Sequence, residues 1–176
     1  NLKGYTWKPI ILQMMLQEHD FVMWVDSSIR LMKNVDELFN KAYNRGIQIL
    51  QGTGSIAVRT QTRLFDLLKE KPCMFNYPEV QTGIVVIKRS SFTLKAVMYP
   101  WVLCALQYGC MDFPKSEQFL DCTHGSKLSS CHRFDQSVPG IILTRLFNIK
   151  RNFVTFLEGE YAFVCYECMQ RFNDNV

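Results

Sequence analysis

Three short stretches of this 176-residue chain carry the residue types that chemistry needs. In FVMWVDSSIRL (residues 21–31) an apolar run stops at Asp26, with Ser27, Ser28 and Arg30 beside it. A carboxylate delivered to the end of a strand can hold a divalent metal that bridges a diphosphate, and an arginine can bind the same phosphates directly. Asp26 also reads as the side chain that caps the next turn. In YPEVQTGIVVIKRS (residues 77–90), Glu79 and Gln81 precede an apolar run, and Gly83 permits close backbone approach. Glu79 reads either as a base or hydroxyl ligand, or as a solvated loop acid. In CHRFDQS (residues 131–137), His132, Arg133 and Asp135 set a base, a cation and a carboxylate within four positions. Taken alone, Asp135 reads first as the N-cap of a following helix, and His132 also reads as packing against Cys131. The common phosphate-loop, dinucleotide, serine-hydrolase and zincin motifs are absent.

These residues need elements to position them. Trp7, Ile10, Ile11 and Met14 have the spacing of one helix face over Tyr5–Glu18. Phe21–Val25 follows as a continuous apolar run, the pattern of a strand buried on both faces of a parallel or mixed sheet. Asn34 and Glu37 have capping-box spacing for a helix that Gly46 ends. Ile47–Leu50 and Ser55–Val58 predict strands around Gly52-Thr53-Gly54, and Thr62–Glu70 predicts a helix ended by Pro72. Ile84–Ile87 predicts a second buried strand. Ser90-Ser91 caps a helix that Pro100 kinks before Gly109. Residues 110–134 read as a long loop, Asp135–Phe147 as a helix with Pro139 in its first turn, and Phe153–Phe156 as a strand. Alternating strands and helices predict an α/β fold, in which ligands bind beyond the carboxyl ends of strands.

Composition narrows the function classes. Hydrophobic residues make up 48% and charged residues 20%, the balance of a globular chain with one sizeable core. A net charge of +4 with no basic run beyond Lys88-Arg89 and Lys150-Arg151 argues against a nucleic-acid partner. No apolar stretch approaches the roughly 18–20 residues that cross a bilayer. The chain starts at Asn1, already in helical sequence, and so reads as a piece of a longer protein. Four of seven cysteines, Cys104, Cys110, Cys122 and Cys131, fall within 28 positions of a turn-rich stretch. That density suits disulfides formed in an oxidising compartment. Buried free thiols are the alternative, as is a zinc site from Cys122, His124, Cys131 and His132, whose spacing departs from the usual paired pattern.

YTWKPIILQMMLQEHDFVMWVDSSIRL and PEVQTGIVVIKRSS resemble segments of nucleotide-sugar glycosyltransferases with the GT-A fold, and WVLCALQYGCMDFP and CHRFDQSVPGIIL resemble an uncharacterised animal family. That family, expanded in nematodes and marine invertebrates, is itself similar to nucleotide-sugar glycosyltransferases with the GT-A fold. The likeness covers about residues 4–156. It implies a partial GT-A-like domain over 1–160, lacking its N-terminal strands, with a disulfide-stapled region at 104–131 and a C-terminal tail at 161–176. The expected sheet is mixed and mainly parallel, with helices on both faces. The implied activity moves a sugar from a nucleotide-sugar donor to a hydroxyl of a glycan or protein acceptor. Asp26 and His132 would hold a manganese or magnesium ion, Asp135 and Glu79 would act in catalysis, and Gln81, Gly83, Arg30 and Ser28 would bind substrate. Where GT-A glycosyltransferases have Asp-x-Asp this chain has Asp26-Ser27-Ser28, with one carboxylate fewer, so Arg30 and Lys33 become substitutes for the metal. The implied setting is the Golgi lumen, with a membrane-anchored parent and no membrane contact in this fragment. Two other readings stand beside it: a GT-A-like binding or scaffold domain without catalysis, and a secreted, disulfide-held interaction module.

Overall fold

The computed structural model describes residues 3–32, 35–112, 122, 128–129 and 131–165. Its centre is a four-stranded sheet in the order β1–β4–β3–β5, formed by Phe21–Val25 (β1), Pro78–Lys88 (β4), Ile47–Ser55 (β3) and Thr155–Phe156 (β5). Ile29–Leu31 (β2) and Ala162–Val164 (β6) form a separate antiparallel ribbon. The helices are Trp7–Glu18 (α1), Asp36–Arg45 (α2), Thr62–Leu67 (α3), Tyr99–Leu106 (α4) and Ser137–Phe147 (α5).

The α/β class and the mixed sheet are as expected, but the sheet is mainly antiparallel. β4 runs antiparallel to both β1 and β3, and only the short β3–β5 pair is parallel. The continuous apolar runs came from burial rather than from strand direction, because helices cover both faces. On one face Leu12 and Leu16 of α1, Trp101 of α4 and Ile141 of α5 pack against Ile49, Val85 and Ile87. On the other, Leu38 and Ala42 of α2 pack against Leu50, Ile84 and Val86. Among the described residues β1 is an edge strand rather than a central one.

Local chemistry accounts for the element ends. Gly46 ends α2 at φ +86°, where a Cβ would stand 2.8 Å from Thr93 Cγ2. The Ser90 hydroxyl accepts from Thr93 N at 3.0 Å, the expected cap. Pro100 has no N–H to give, and the turns before it widen into a π-helix over Thr93–Met98. Asn34 lies outside the described residues. β3 runs through Gly52 and Gly54, where a Cβ would collide with the side chains of Glu79 and Arg59, and ends at Ser55; residues 56–58 of the second expected strand form a turn instead.

The four loop cysteines pair as Cys104–Cys110 and Cys122–Cys131. They close two separate short loops rather than one long one. Cys165 is also disulfide-bonded. The folded unit continues past residue 160: β6 pairs with β2, and Tyr161 and Ala162 are buried, so the expected tail begins later than 161. Among the described residues no helix is long and apolar enough to cross a membrane.

Each disulfide closes a loop of fewer than ten residues (separations 6 and 9), for which the loop-entropy contribution is about 2–3 kcal/mol. Urea unfolding with and without a thiol reductant should show stability falling by about that amount per bridge lost. Coincident curves would mean that the bridges do not constrain the chain.

Candidate functional site

Four elements meet beyond the end of β1. The first is α1, which has Lys8 in its opening turn. The helix face that enters the core is Lys8, Leu12 and Leu16, spaced four apart, while Ile11 and Met14 of the expected face are 41% and 60% exposed. Lys8 thus follows two leucines into the interior and is only 3% exposed. The second element is β1 itself, which hands the chain to Asp26. Asp26 N donates to Gly83 O at 2.7 Å and Asp26 O accepts from Ile29 N at 2.9 Å, so its backbone makes the turn into β2. Its side chain is left for the site. The carboxylate accepts from Trp24 Nε1, and its Oδ1 lies 3.2 Å from Lys8 Nζ.

The third element is β4. Its partner register jumps between Ile49↔Val85 and Leu50↔Gln81, a bulge that inserts residues 82–84. Side-chain alternation resets there. Val80 faces the α1–α5 core, Ile84 and Val86 face α2, and Val85 returns to the first core. Thr82, two residues on from Val80, lies ahead of that reset and keeps the α1–α5 side, where its hydroxyl donates to Asp135 Oδ2. The fourth element is the 3-10 turn Phe134–Gln136 before α5, which carries Asp135. No side-chain cap bond is present at either start, so Asp135 does not act as the expected N-cap. Its Oδ2 lies 2.9 Å from Lys8 Nζ.

The segment holding Asp135 is fixed from behind. Ser129 N, Cys131 N and Arg133 N donate to the carbonyls of Ala57, Val58 and Arg59, and the Cys122–Cys131 bridge anchors the same run. A cavity of about 380 Å³ opens at the convergence, lined by Tyr5, Lys8, Asp26, Cys122 and His132–Gln136. Burial pushes the Asp135 carboxyl above the ordinary aspartate range, against the opposing pull of Lys8 and the Thr82 hydroxyl. The Lys8 ammonium also lies 5.7 Å and 5.5 Å from the ring centroids of Tyr5 and Trp24.

The residues named from sequence divide accordingly. Asp26 and Asp135 come together around one ammonium. Gly83 supports them: a Cβ there would lie 3.4 Å from Asp26 Oδ2 and 3.3 Å from Ile29 Cδ1. Glu79 is elsewhere. Its carboxylate is buried against Arg59 and Gly54 N, and among the described residues Oε2 has no partner. Glu79 and Arg59 pack behind Arg133 and Gln136 and are not among the described residues that line the cavity, so the expected catalytic Glu79 forms a structural ion pair instead. Gln81, next to Thr82 on an extended strand, points to the other face. Ser28 and Arg30 belong to the small ribbon: Ser28 O accepts from Cys165 N at 2.7 Å, and Arg30 Nη1 lies 3.4 Å from Ser27 O and Ile29 O. None of these three is among the described residues that line the cavity. Lys33 lies outside the described residues.

The expected metal pair is not arranged as ligands. His132 borders the cavity, but its Nδ1 accepts from Gln61 N at 3.4 Å and its Nε2 faces Met111 O at 3.3 Å, so both nitrogens are engaged. Asp26 and Asp135 have Lys8 Nζ between them, and among the described residues no three His, Cys, Asp or Glu side chains converge on one point. The residues as placed do not fit a divalent ion.

Sequence reasoning missed Lys8 and Thr82. The spacing of Lys8 with Leu12 and Leu16 was a usable signal for a buried charge. Thr82 shares its face with Val80 by simple alternation, but nothing local marks the partner, Asp135, that it meets there.

His132 gives the site a pH signature. Burial lowers it from 6.5 to about 3, so the unfolded chain takes up its proton first as the medium is acidified. Its contribution to stability is complete above pH 6.5 and is lost as pH falls from 6.5 towards 3. The raised Asp135 acts with the opposite sign, favouring the fold as pH falls through its own range. Chemical denaturation from pH 7 down to pH 4 should therefore show a shallower acid loss in His132→Gln than in wild type. Parallel pH profiles would contradict the buried, neutral imidazole.

Compared with protein-family models, with curated proteins and with solved structures, the chain finds no match.

Proposed function

We propose that this chain carries part of a glycosyltransferase-like domain that moves a sugar from a nucleotide-sugar donor to an acceptor hydroxyl. The observation that carries the reading is the convergence of Asp26 and Asp135, from distant parts of the chain, on one cavity at a strand's end. Ligand sites in α/β folds form in such places.

In this reading Asp135 is the base. Lys8 and Thr82 hold its Oδ2, which fixes the carboxylate's direction and leaves Oδ1 for the acceptor. Burial raises its proton affinity towards the range a base at neutral pH requires. The acceptor O–H gives its proton to Asp135 as its oxygen bonds to the anomeric carbon. The bond from that carbon to the donor phosphate breaks, and its electron pair leaves with the nucleoside diphosphate. The disulfides suit an oxidising compartment, and we place the protein in the secretory lumen on that ground.

One observation favours a second reading, a saccharide-binding domain without transfer. The Lys8 ammonium stands between the two carboxylates, where a transferase of the expected kind would place a metal.

The two readings separate in one experiment. Full-length protein with intact disulfides is incubated with a panel of nucleotide sugars and glycan acceptors, and nucleoside diphosphate release is followed. Transfer predicts acceptor-dependent release that falls by about a hundredfold or more in Asp135→Asn. Acceptor binding with no release from any donor would establish the second reading.

A further inference from the structure

We infer that Lys8 is the built-in cation of this cavity, and that the cavity is the seat of a neutral hydroxyl-bearing ligand, the acceptor of the proposed transfer, held without a divalent ion; the diphosphate of a donor stays outside its lining. The choice of a saccharide as that ligand rests on the sugar chemistry proposed above. The exclusion of metal and phosphate rests on geometry alone.

An ammonium has three N–H donors and no acceptor. Lys8 Nζ has Asp26 Oδ1 at 3.2 Å, Asp135 Oδ2 at 2.9 Å, and Thr82 O and Oγ1 at 3.2 and 3.3 Å. Its donors are all turned onto the protein, and two aromatic rings flank it. A phosphate could engage Lys8 only by opening a buried ion pair, which leaves a carboxylate uncompensated. A divalent ion would have to expel the ammonium from between the same carboxylates.

Charge points the same way. Among the described lining residues, Lys8 and Arg133 balance Asp26 and Asp135. A diphosphate would add negative charge opposite two carboxylates, with the Arg133 guanidinium as its remaining partner. Arg133 Nε is itself 3.1 Å from Gln136 Oε1. Hydroxyl groups carry no such penalty, because they accept from Arg133 or Gln136 and donate to Asp26 or Asp135.

The apolar walls fit the C–H faces of a sugar ring. Tyr5 and Phe134 both line the cavity, with centroids 6.3 Å apart and planes inclined at 58°. Both have left-handed backbones, φ +56° and +43°, which aromatic residues rarely adopt. Such costly conformations persist at ligand sites where the surroundings hold them in place. A volume of about 380 Å³ has room for one or two sugar rings.

The test uses full-length oxidised protein, with EDTA present. Saturation-transfer NMR is recorded with the methyl glycosides of glucose, galactose, mannose, xylose, fucose and N-acetylglucosamine. At least one should bind, and Tyr5→Ala should weaken it by about tenfold, the loss of one ring contact. Isothermal titration of wild type with manganese, pyrophosphate and uridine diphosphate should give no heat from this site. In Lys8→Met the exposed dicarboxylate should gain manganese affinity, read as a melting temperature raised by manganese in the variant alone. If that variant does not fold, the wild-type titrations decide. Glycoside binding that requires manganese, manganese or pyrophosphate heat abolished by Asp26→Asn, or no glycoside binding at all overturns the inference. Metal-free binding with no transfer leaves it standing and ends the transferase reading. Transfer with glycoside binding that requires manganese does the reverse.

Discussion

A buried ammonium sets the terms for this molecule. Taking Lys8 out of water is costly unless opposite charge and oxygen acceptors surround it, and here Asp26, Asp135 and the two oxygens of Thr82 do so. The arrangement is reciprocal. Asp135 is itself buried, and without Lys8 its charge would have only the Thr82 hydroxyl. α1, the end of β1, the bulge of β4 and the turn before α5 are therefore pinned at one polar point. β1 and β4 are joined as well by their backbone ladder, whereas α1 otherwise packs on them through apolar side chains such as Leu12 and Leu16, contacts that slide more readily than a hydrogen-bonded ion cluster.

That pinning shapes what the cavity can do. The two carboxylates belong to segments far apart in sequence, and each is oriented by a neighbour that is not itself the ligand partner: Trp24 for Asp26, Thr82 for Asp135. Behind Asp135, backbone bonds from residues 129–133 to residues 57–59 and the Cys122–Cys131 bridge fix the run that supplies Arg133 and Phe134. The Glu79–Arg59 pair lies behind the same wall and supports it without reaching the cavity. The Cys122–Cys131 bridge and the ion pair thus hold the wall of the cavity in place.

Much of this was legible in the chain and some was not, for physical reasons. An apolar run that stops at a carboxylate is a local pattern, and it led to Asp26. For Asp135 the local pattern offers a helix cap, which is absent, and its place near a reacting centre came from the resemblance. Strand direction was misread because Phe21–Val25 and Ile84–Ile87 are apolar on account of helices above and below, which antiparallel strands also allow. Lys8 was passed over because Ile11 and Met14 suggested a different buried face. Glu79 looked like a free acid because its partner Arg59 comes from another loop, and no local spacing encodes that pairing.

The central claim is that Lys8 and Asp135 are energetically one unit. A double-mutant cycle with Lys8→Met and Asp135→Asn, read by urea unfolding at neutral pH, tests it most directly. The account predicts that each single change is strongly destabilising and that the double mutant recovers part of the loss, a coupling of about 1–3 kcal/mol. Strict additivity of the two changes would contradict it.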